Sequence, residues 1–202
     1  TSRWRETWTG RGDIAELRWT GEVFTALGLE GGHISSVDGV TWSAAPTPEA
    51  TNGAEPYAPQ GPSLPVWVQG CPSVASAAPR VPVTTNGRTV VVAVGGQLGG
   101  VRAAVSCEDV TVSRLPGSYS LNAAIWTGEE FLVAGDGPCK QCTGRLWASP
   151  DGTTWRAEAV PLGSPLTHLA ASPDTLVVGG WGRLLAGPVV APPAATSEGT
   201  PL

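Results

Sequence analysis

The chain has 202 residues, of which 41% are hydrophobic and 14% charged, with a formal net charge of −5. The 27 Gly and 19 Pro push the composition towards disorder, but the apolar content supports a packed core in one domain. An acidic balance without a basic cluster argues against a nucleic-acid partner, and no apolar run approaches the roughly 18 residues of a transmembrane segment.

The sequence contains no Met, so Thr1 is not a translation start: a leader has been removed, or the sequence begins inside a longer chain. Lys140 is the single lysine, against many Arg, Ala, Gly and Pro, a bias that suggests a GC-rich bacterial genome. Four Cys in this background suggest an oxidising compartment. The expected location is therefore secreted, periplasmic or at the bacterial cell surface.

In chain order, the first segment, Ser2-Arg3-Trp4-Arg5-Glu6, resembles residues 154–158, and Arg3 to Glu6 reads as a strand separated from its sheet. Four short strands follow at 14–19, 23–29, 33–36 and 41–44. The stretch 44–82 is Pro- and Ala-rich and reads as an insertion. A second, weaker unit runs from Thr85-Asn86-Gly87 through Val90 to Ser106–Val112. A third has strands at 121–126, 131–135, 145–149 and 154–158. A fourth, residues 167–187, shows three strands and then gives way to a Pro/Ala/Ser-rich tail at 191–202. β-Branched and apolar residues fill the strands, and Asp-Gly, Asn-Gly and Thr-Gly pairs separate them.

These units repeat. Trp19-Thr20-Gly21-Glu22 recurs as Trp126-Thr127-Gly128-Glu129, and Ser36-Val37-Asp38-Gly39-Val40-Thr41-Trp42 recurs as Ser149-Pro150-Asp151-Gly152-Thr153-Thr154-Trp155. Anchored on Phe24, Val90, Phe131 and Leu176, the spacings are 66, 41 and 45, the first swollen by the insertion. A four-stranded meander of about 40–45 residues is the unit of a β-propeller. The expected fold is all-β: a propeller domain over 1–190 of four antiparallel blades, closed by the N-terminal strand pairing with residues 183–187. The competing count is a piece of a larger ring.

The segments Ser36–Trp42 and Ser149–Trp155 resemble Asp-box (BNR-type) repeats, found in sialidase-like and sortilin-like β-propellers; each copy here is one residue shorter than the family pattern. The resemblance implies a structural role for Ser36, Asp38, Gly39, Trp42, Ser149, Asp151, Gly152 and Trp155. Short acceptor side chains take up turn amides, Gly supplies positive φ, and Trp covers the hairpin. Sialidase chemistry would need an arginine triad, a Tyr–Glu pair and an acidic Asp. The chain has two tyrosines, Tyr57 in the insertion and Tyr119 in a turn, and nothing like the family's Arg-Ile-Pro motif.

Other constellations are weak. Cys139-Lys140-Gln141-Cys142 lies between glycine-rich turns rather than at a helix start, which opposes thioredoxin-like redox activity. A four-cysteine zinc site would need Cys71 and Cys107 as its second half, and their spacing of 36 fits no usual zinc knuckle. The four cysteines read as two disulfides, Cys139–Cys142 and Cys71–Cys107. Arg11-Gly12-Asp13 reads as an exposed turn, and two histidines without a nucleophile elbow give no triad. No metal or cofactor is expected. Glu129, Glu130 and Asp136 read as a solvated turn.

Of nine Trp, Trp67 and Trp181 fall outside the repeat-equivalent sets. With Tyr57 they are the candidate binding residues, since an exposed aromatic stacks on a sugar or anchors a protein contact. The expected function is a non-catalytic extracellular or cell-surface recognition or scaffold module. It would bind a protein or glycan through blade loops and the insertion. Two alternatives stand beside it: a structural subunit that self-assembles on a surface, and a sialidase-like glycoside hydrolase using acids among Asp13, Glu16, Glu30 and Asp136.

Overall fold

A computed structural model describes residues 3–10, 12–46, 67–68, 71, 81–94, 100–137 and 143–189. Tyr57, Cys139, Cys142, the tail 191–202 and most of the insertion 44–82 lie outside the described residues. The fold is a four-bladed β-propeller: four antiparallel sheets, each of four strands. The first blade contains β2 (Ile14–Trp19), β3 (Phe24–Gly28), β4 (His33–Ser36) and β5 (Ser43–Ala44). The second contains β6 (Val83–Thr85), β7 (Val90–Val94), β8 (Gly100–Ala104) and β9 (Val110–Arg114). The third contains β10 (Leu121–Trp126), β11 (Phe131–Asp136), β12 (Gly144–Ser149) and β13 (Arg156–Ala159). The fourth takes β14 (His168–Ala171), β15 (Thr175–Gly180) and β16 (Arg183–Pro188) from one end of the chain and β1 (Arg5–Thr9) from the other.

Closure follows the sequence expectation, two residues further along. β1 runs antiparallel to β16 in the register Arg5↔Ala186 to Thr9↔Arg183, with a bulge at Thr7. Trp4 precedes this outer strand as Trp42 and Trp155 precede theirs. Its indole donates to Glu158 Oε1 at 2.9 Å, and Arg3 grips the same carboxylate at 2.7 and 2.6 Å. Glu158 lies on β13, so closure also ties the fourth blade to the third. Arg183 and Glu6 form an ion pair across the β1–β16 seam.

The four sequence anchors are equivalent. Phe24, Val90, Phe131 and Leu176 are all buried, and each pairs across its sheet with Ser36, Ala104, Ser149 and Gly187 respectively. Alternation along each second strand then sends one face to each neighbouring blade. Leu176 and Val178 meet Leu132, Ala134 and Leu146 between fourth and third blades, and Phe131, Val133 and Trp147 meet Val91, Val101 and Ala103 between third and second. Phe24 and Ala26 meet Val177, Leu184 and Ala186 between first and fourth.

Hydrogen bonding in the Asp-Gly turns explains the repeated residues. Asp38 Oδ1 accepts the amides of Val40 and Thr41, both at 2.8 Å, and Asp151 Oδ1 accepts those of Thr153 and Thr154 at 2.7 and 2.8 Å. Gly39 and Gly152 have φ of 73° and 80°, and their carbonyls accept the Trp42 and Trp155 indoles. Each glycine also leans on the preceding blade. A β-carbon on Gly39 would stand 2.7 Å from Val177 Cγ2, and one on Gly152 3.0 Å from Val91 Cγ2.

The second blade corrects the sequence alignment by two residues. Ser106 accepts the amides of Glu108 and Asp109, so it stands where Asp38 and Asp151 stand, not where Ser36 does. Strand register agrees: Ala104 occupies the serine place, Cys107 the glycine place and Val110 the tryptophan place. A hydroxyl can cap the turn as a carboxylate does, which is why the copy looked misframed. Glu130 is a second correction. It is 3% exposed and paired with Arg156 at 2.6 Å, so that turn is not solvated throughout.

These turns make the protein acid-sensitive. Amides of Thr41 and Val40 and the Ser36 hydroxyl bring Asp38 down to about 2. Burial opposes the shift at Asp151, but the Thr154 and Thr153 amides and the Ser149 hydroxyl outweigh it and bring that group to about 2 as well. Both carboxyls bind protons more readily in the unfolded chain than in the folded one. Their stabilisation is therefore complete above the ordinary Asp value and is lost as pH falls towards 2. The Asp38→Asn/Asp151→Asn variant is expected to melt below the parent at pH 7, with the gap narrowing steadily as pH falls from about 4 to about 2. Thermal melts across that range check it; a constant gap would exclude these carboxylates as the acid-labile element.

Candidate binding cleft between the first and last blades

In this up-and-down topology Gly10, Gly12 and Asp13, the loop 29–32 and the turn 181–182 lie on one face of the ring. The Asp-Gly turns lie on the other. On the first face a cleft of about 220 Å³ opens between the first and fourth blades, lined by Trp8, Ile14, Ala26, Gly28, Glu30, Gly32 and Ile34. Ile14, Ala26 and Ile34 come from adjacent strands of the first blade and share one face by strand alternation. Trp8 arrives from the fourth blade on β1. The wall thus depends on ring closure.

Close backbone approach shapes the mouth. A β-carbon on Gly10 would stand 1.9 Å from Trp8 Cη2, so the indole lies across Gly10. The Gly10 amide donates to Gly182 O at 2.8 Å, joining the end of β1 to the β15–β16 turn. Gly28 donates to Gly32 O and Leu29 to Asp13 O, at 2.8 and 2.9 Å, fixing the 28–32 loop beside it. Glu30 is exposed and packs near Gly12, where a β-carbon would lie 3.3 Å from Glu30 Cγ. Leu29, on the same loop, is 68% exposed.

Trp181 forms the adjoining tip. It is 49% exposed and has φ of 43°, the single positive-φ non-glycine among the described residues. With Gly182 at 69° it makes the two-residue turn of the β15–β16 hairpin. Such turns favour Asn-Gly, and a bulky residue there is strained by about 1–3 kcal/mol. Trp181→Asn, which relieves this strain, is therefore expected to raise stability by about 1 kcal/mol, and denaturant melts of the two proteins check the sign.

The remaining sequence candidates separate. Trp67 is half-buried against the second blade with Val68 and Cys71. Cys71 is buried and Cys107 exposed, both as thiols. Asp136 is buried in the third blade, accepting Ser120 Oγ at 2.7 Å and Asn122 Nδ2 at 3.2 Å, as a loop anchor. Glu16 pairs with Arg18, and burial raises its pKa despite that pairing. Burial lowers His168, whose Nδ1 and Nε2 lie 2.8 Å from Thr167 Oγ1 and 3.1 Å from Ala15 O. Of the four proposed acids, Glu30 lines the cleft and Asp13 adjoins it through its backbone. Trp8 escaped sequence reasoning. Its only signal was a tryptophan two residues before a glycine, and the partner wall comes from strands distant in the chain.

No family model matches the chain, and no curated protein does. Among solved structures, YCF48 bound to a D1 peptide is 12% identical, with 93% of this chain and 97% of that one covered at a TM-score of 0.39. YCF48 from Cyanidioschyzon merolae is 14% identical, covering 86% and 50% at 0.35. An engineered GH43 glycoside hydrolase is 12% identical, covering 85% and 36% at 0.31. At these identities and scores the likenesses carry no argument about ligand or activity, and the fold rests on the strand order of the chain itself.

Proposed function

We propose that the chain is a non-catalytic recognition module that captures a peptide segment in the cleft between its first and last blades. The observation that carries this reading is the Trp8–Glu30 cleft flanked by the strained, exposed Trp181. Its floor is aliphatic and its rim offers one carboxylate. That chemistry suits an apolar side chain next to a Lys or Arg, and the net charge of −5 draws a cationic segment in. A sugar would ask for several convergent polar groups, which this lining lacks. Secretion or a place in the periplasm or at the bacterial cell surface belongs to the same proposal and stands on the cysteine and composition arguments.

Selection from a random displayed-peptide library tests it. Enriched peptides should pair a branched or aromatic residue with an adjacent Lys or Arg. Glu30→Gln, a surface change, should weaken them about tenfold. Gly10→Ala, which drives a methyl into the Trp8 ring, should weaken them further. Enriched peptides indifferent to both substitutions, or capture on a glycan array alone, would overturn the reading.

A further inference from the structure

We propose that Cys71 and Cys107 are a redox pair whose disulfide locks Trp67, Val68 and Cys71 of the insertion into the seam between the first and second blades. The inference is independent of the peptide-binding reading. It starts from a difference among the seams. The second blade presents Val90, Val92 and Ala104 towards the first. The buried cluster they form is completed by Trp67, Val68 and Cys71 from the insertion, without a first-blade side chain among its members. Arg102 stands on this face where Trp147, Ile34 and Leu185 stand in the other blades. The second-blade turn likewise has Val110 in the tryptophan place. The insertion supplies the missing aromatic as Trp67.

The cysteines meet at this plug. The Cys71 amide donates to Val68 O at 3.1 Å, and the Cys71 side chain is buried. Cys107 occupies the position at which Gly39 and Gly152 lean on the preceding blade. Its Sγ lies 3.7 Å from Trp67 O and is hydrogen-bonded to the Cys71 side chain. The two thiols thus join the described residues of the insertion to a turn of the blade, already in contact. That hydrogen bond pushes Cys107 up to about 11, so uncatalysed oxidation should accelerate as pH rises.

The reaction balances with a small-molecule or protein disulfide as oxidant. The exposed Cys107 thiolate attacks one oxidant sulfur, and the other leaves as a thiolate. Cys71, deprotonated, then attacks Cys107 Sγ and expels the first sulfur. The two cysteines give up two protons and two electrons, and the oxidant's S–S bond becomes two thiols.

The test equilibrates the full chain in graded reduced and oxidised glutathione, quenches with acid, alkylates free thiols and maps the peptides. The expected product is a Cys71–Cys107 cross-link that forms at about 100-fold lower oxidised glutathione than in guanidinium-unfolded chain. Oxidation should raise Tm and slow amide exchange in Val90–Val94, and Cys107→Ser, an exposed change, should abolish both effects. Equal oxidation in folded and unfolded chains, predominant cross-links to Cys139 or Cys142, or a cross-link without slowed exchange would each overturn the proposal.

Discussion

Deleting residues 1–9 is expected to abolish cooperative unfolding, not to fray one end. The deletion removes the whole outer strand of the fourth blade, the Trp4 indole buried against the third blade, and the Arg3 and Trp4 bonds to Glu158. It also exposes the unpaired edge of β16. A domain's total stability is about 5–15 kcal/mol, and a buried Trp alone accounts for about 3–5 of it. Returning the strand by circular permutation separates lost pairing from lost chain. β16 ends and β1 begins on the same face as the Asp-Gly turns. A five-residue loop copied from residues 150–154 should therefore join Gly187 to Trp4, with new termini at residue 11. The permutant should recover a sharp thermal transition near the parent's. A truncated chain that melts cooperatively within a few degrees (about 5 °C) of the parent would show that β1 does not hold the ring.

Trp147→Ala is the point substitution expected to do most damage, about 3–5 kcal/mol. Trp147 is fully buried between the second and third blades among Val101, Ala103, Leu121 and Phe131. Its indole donates to Pro116 O at 3.4 Å, so truncation opens a cavity and also leaves a loop carbonyl without its donor. Trp181→Ala, which removes an equally large but half-exposed ring and keeps the positive φ on a non-glycine residue, is the control and should lower stability by no more than about 1 kcal/mol. Urea titration distinguishes them: a midpoint shift for Trp147→Ala no larger than that of a surface change would mean the seam repacks around the hole. The same blade position carries Arg102 in the second blade, where the insertion fills the space. Seams therefore differ in what completes them, which is the basis for expecting one to be separately controlled.

The sequence by itself determined the repeat, the strand pattern, the blade equivalence of Phe24, Val90, Phe131 and Leu176, and closure by the N-terminal strand. Each is written in local terms: alternation with period two, glycine where φ must be positive, and a Trp before each outer strand except the second blade's. What it left misframed, the Ser106–Val110 turn, was a place where one hydrogen-bond acceptor substitutes for another without changing geometry. The cleft was decided only by tertiary structure. Trp8 and the strands bearing Ile14, Ala26 and Ile34 belong to different blades, and they form one wall because the ring closes. Glu30 was visible as an acid but not as a rim, since exposure on one face depends on which loops the topology gathers there. The contact between Cys71 and Cys107 is of the same kind. Sequence suggested the pair, but only the fold shows that one thiol belongs to the plug of a seam and the other to the glycine place of the adjoining blade. Long-range juxtaposition carries no local signal, because it is set by packing between elements whose own conformations would be the same without it.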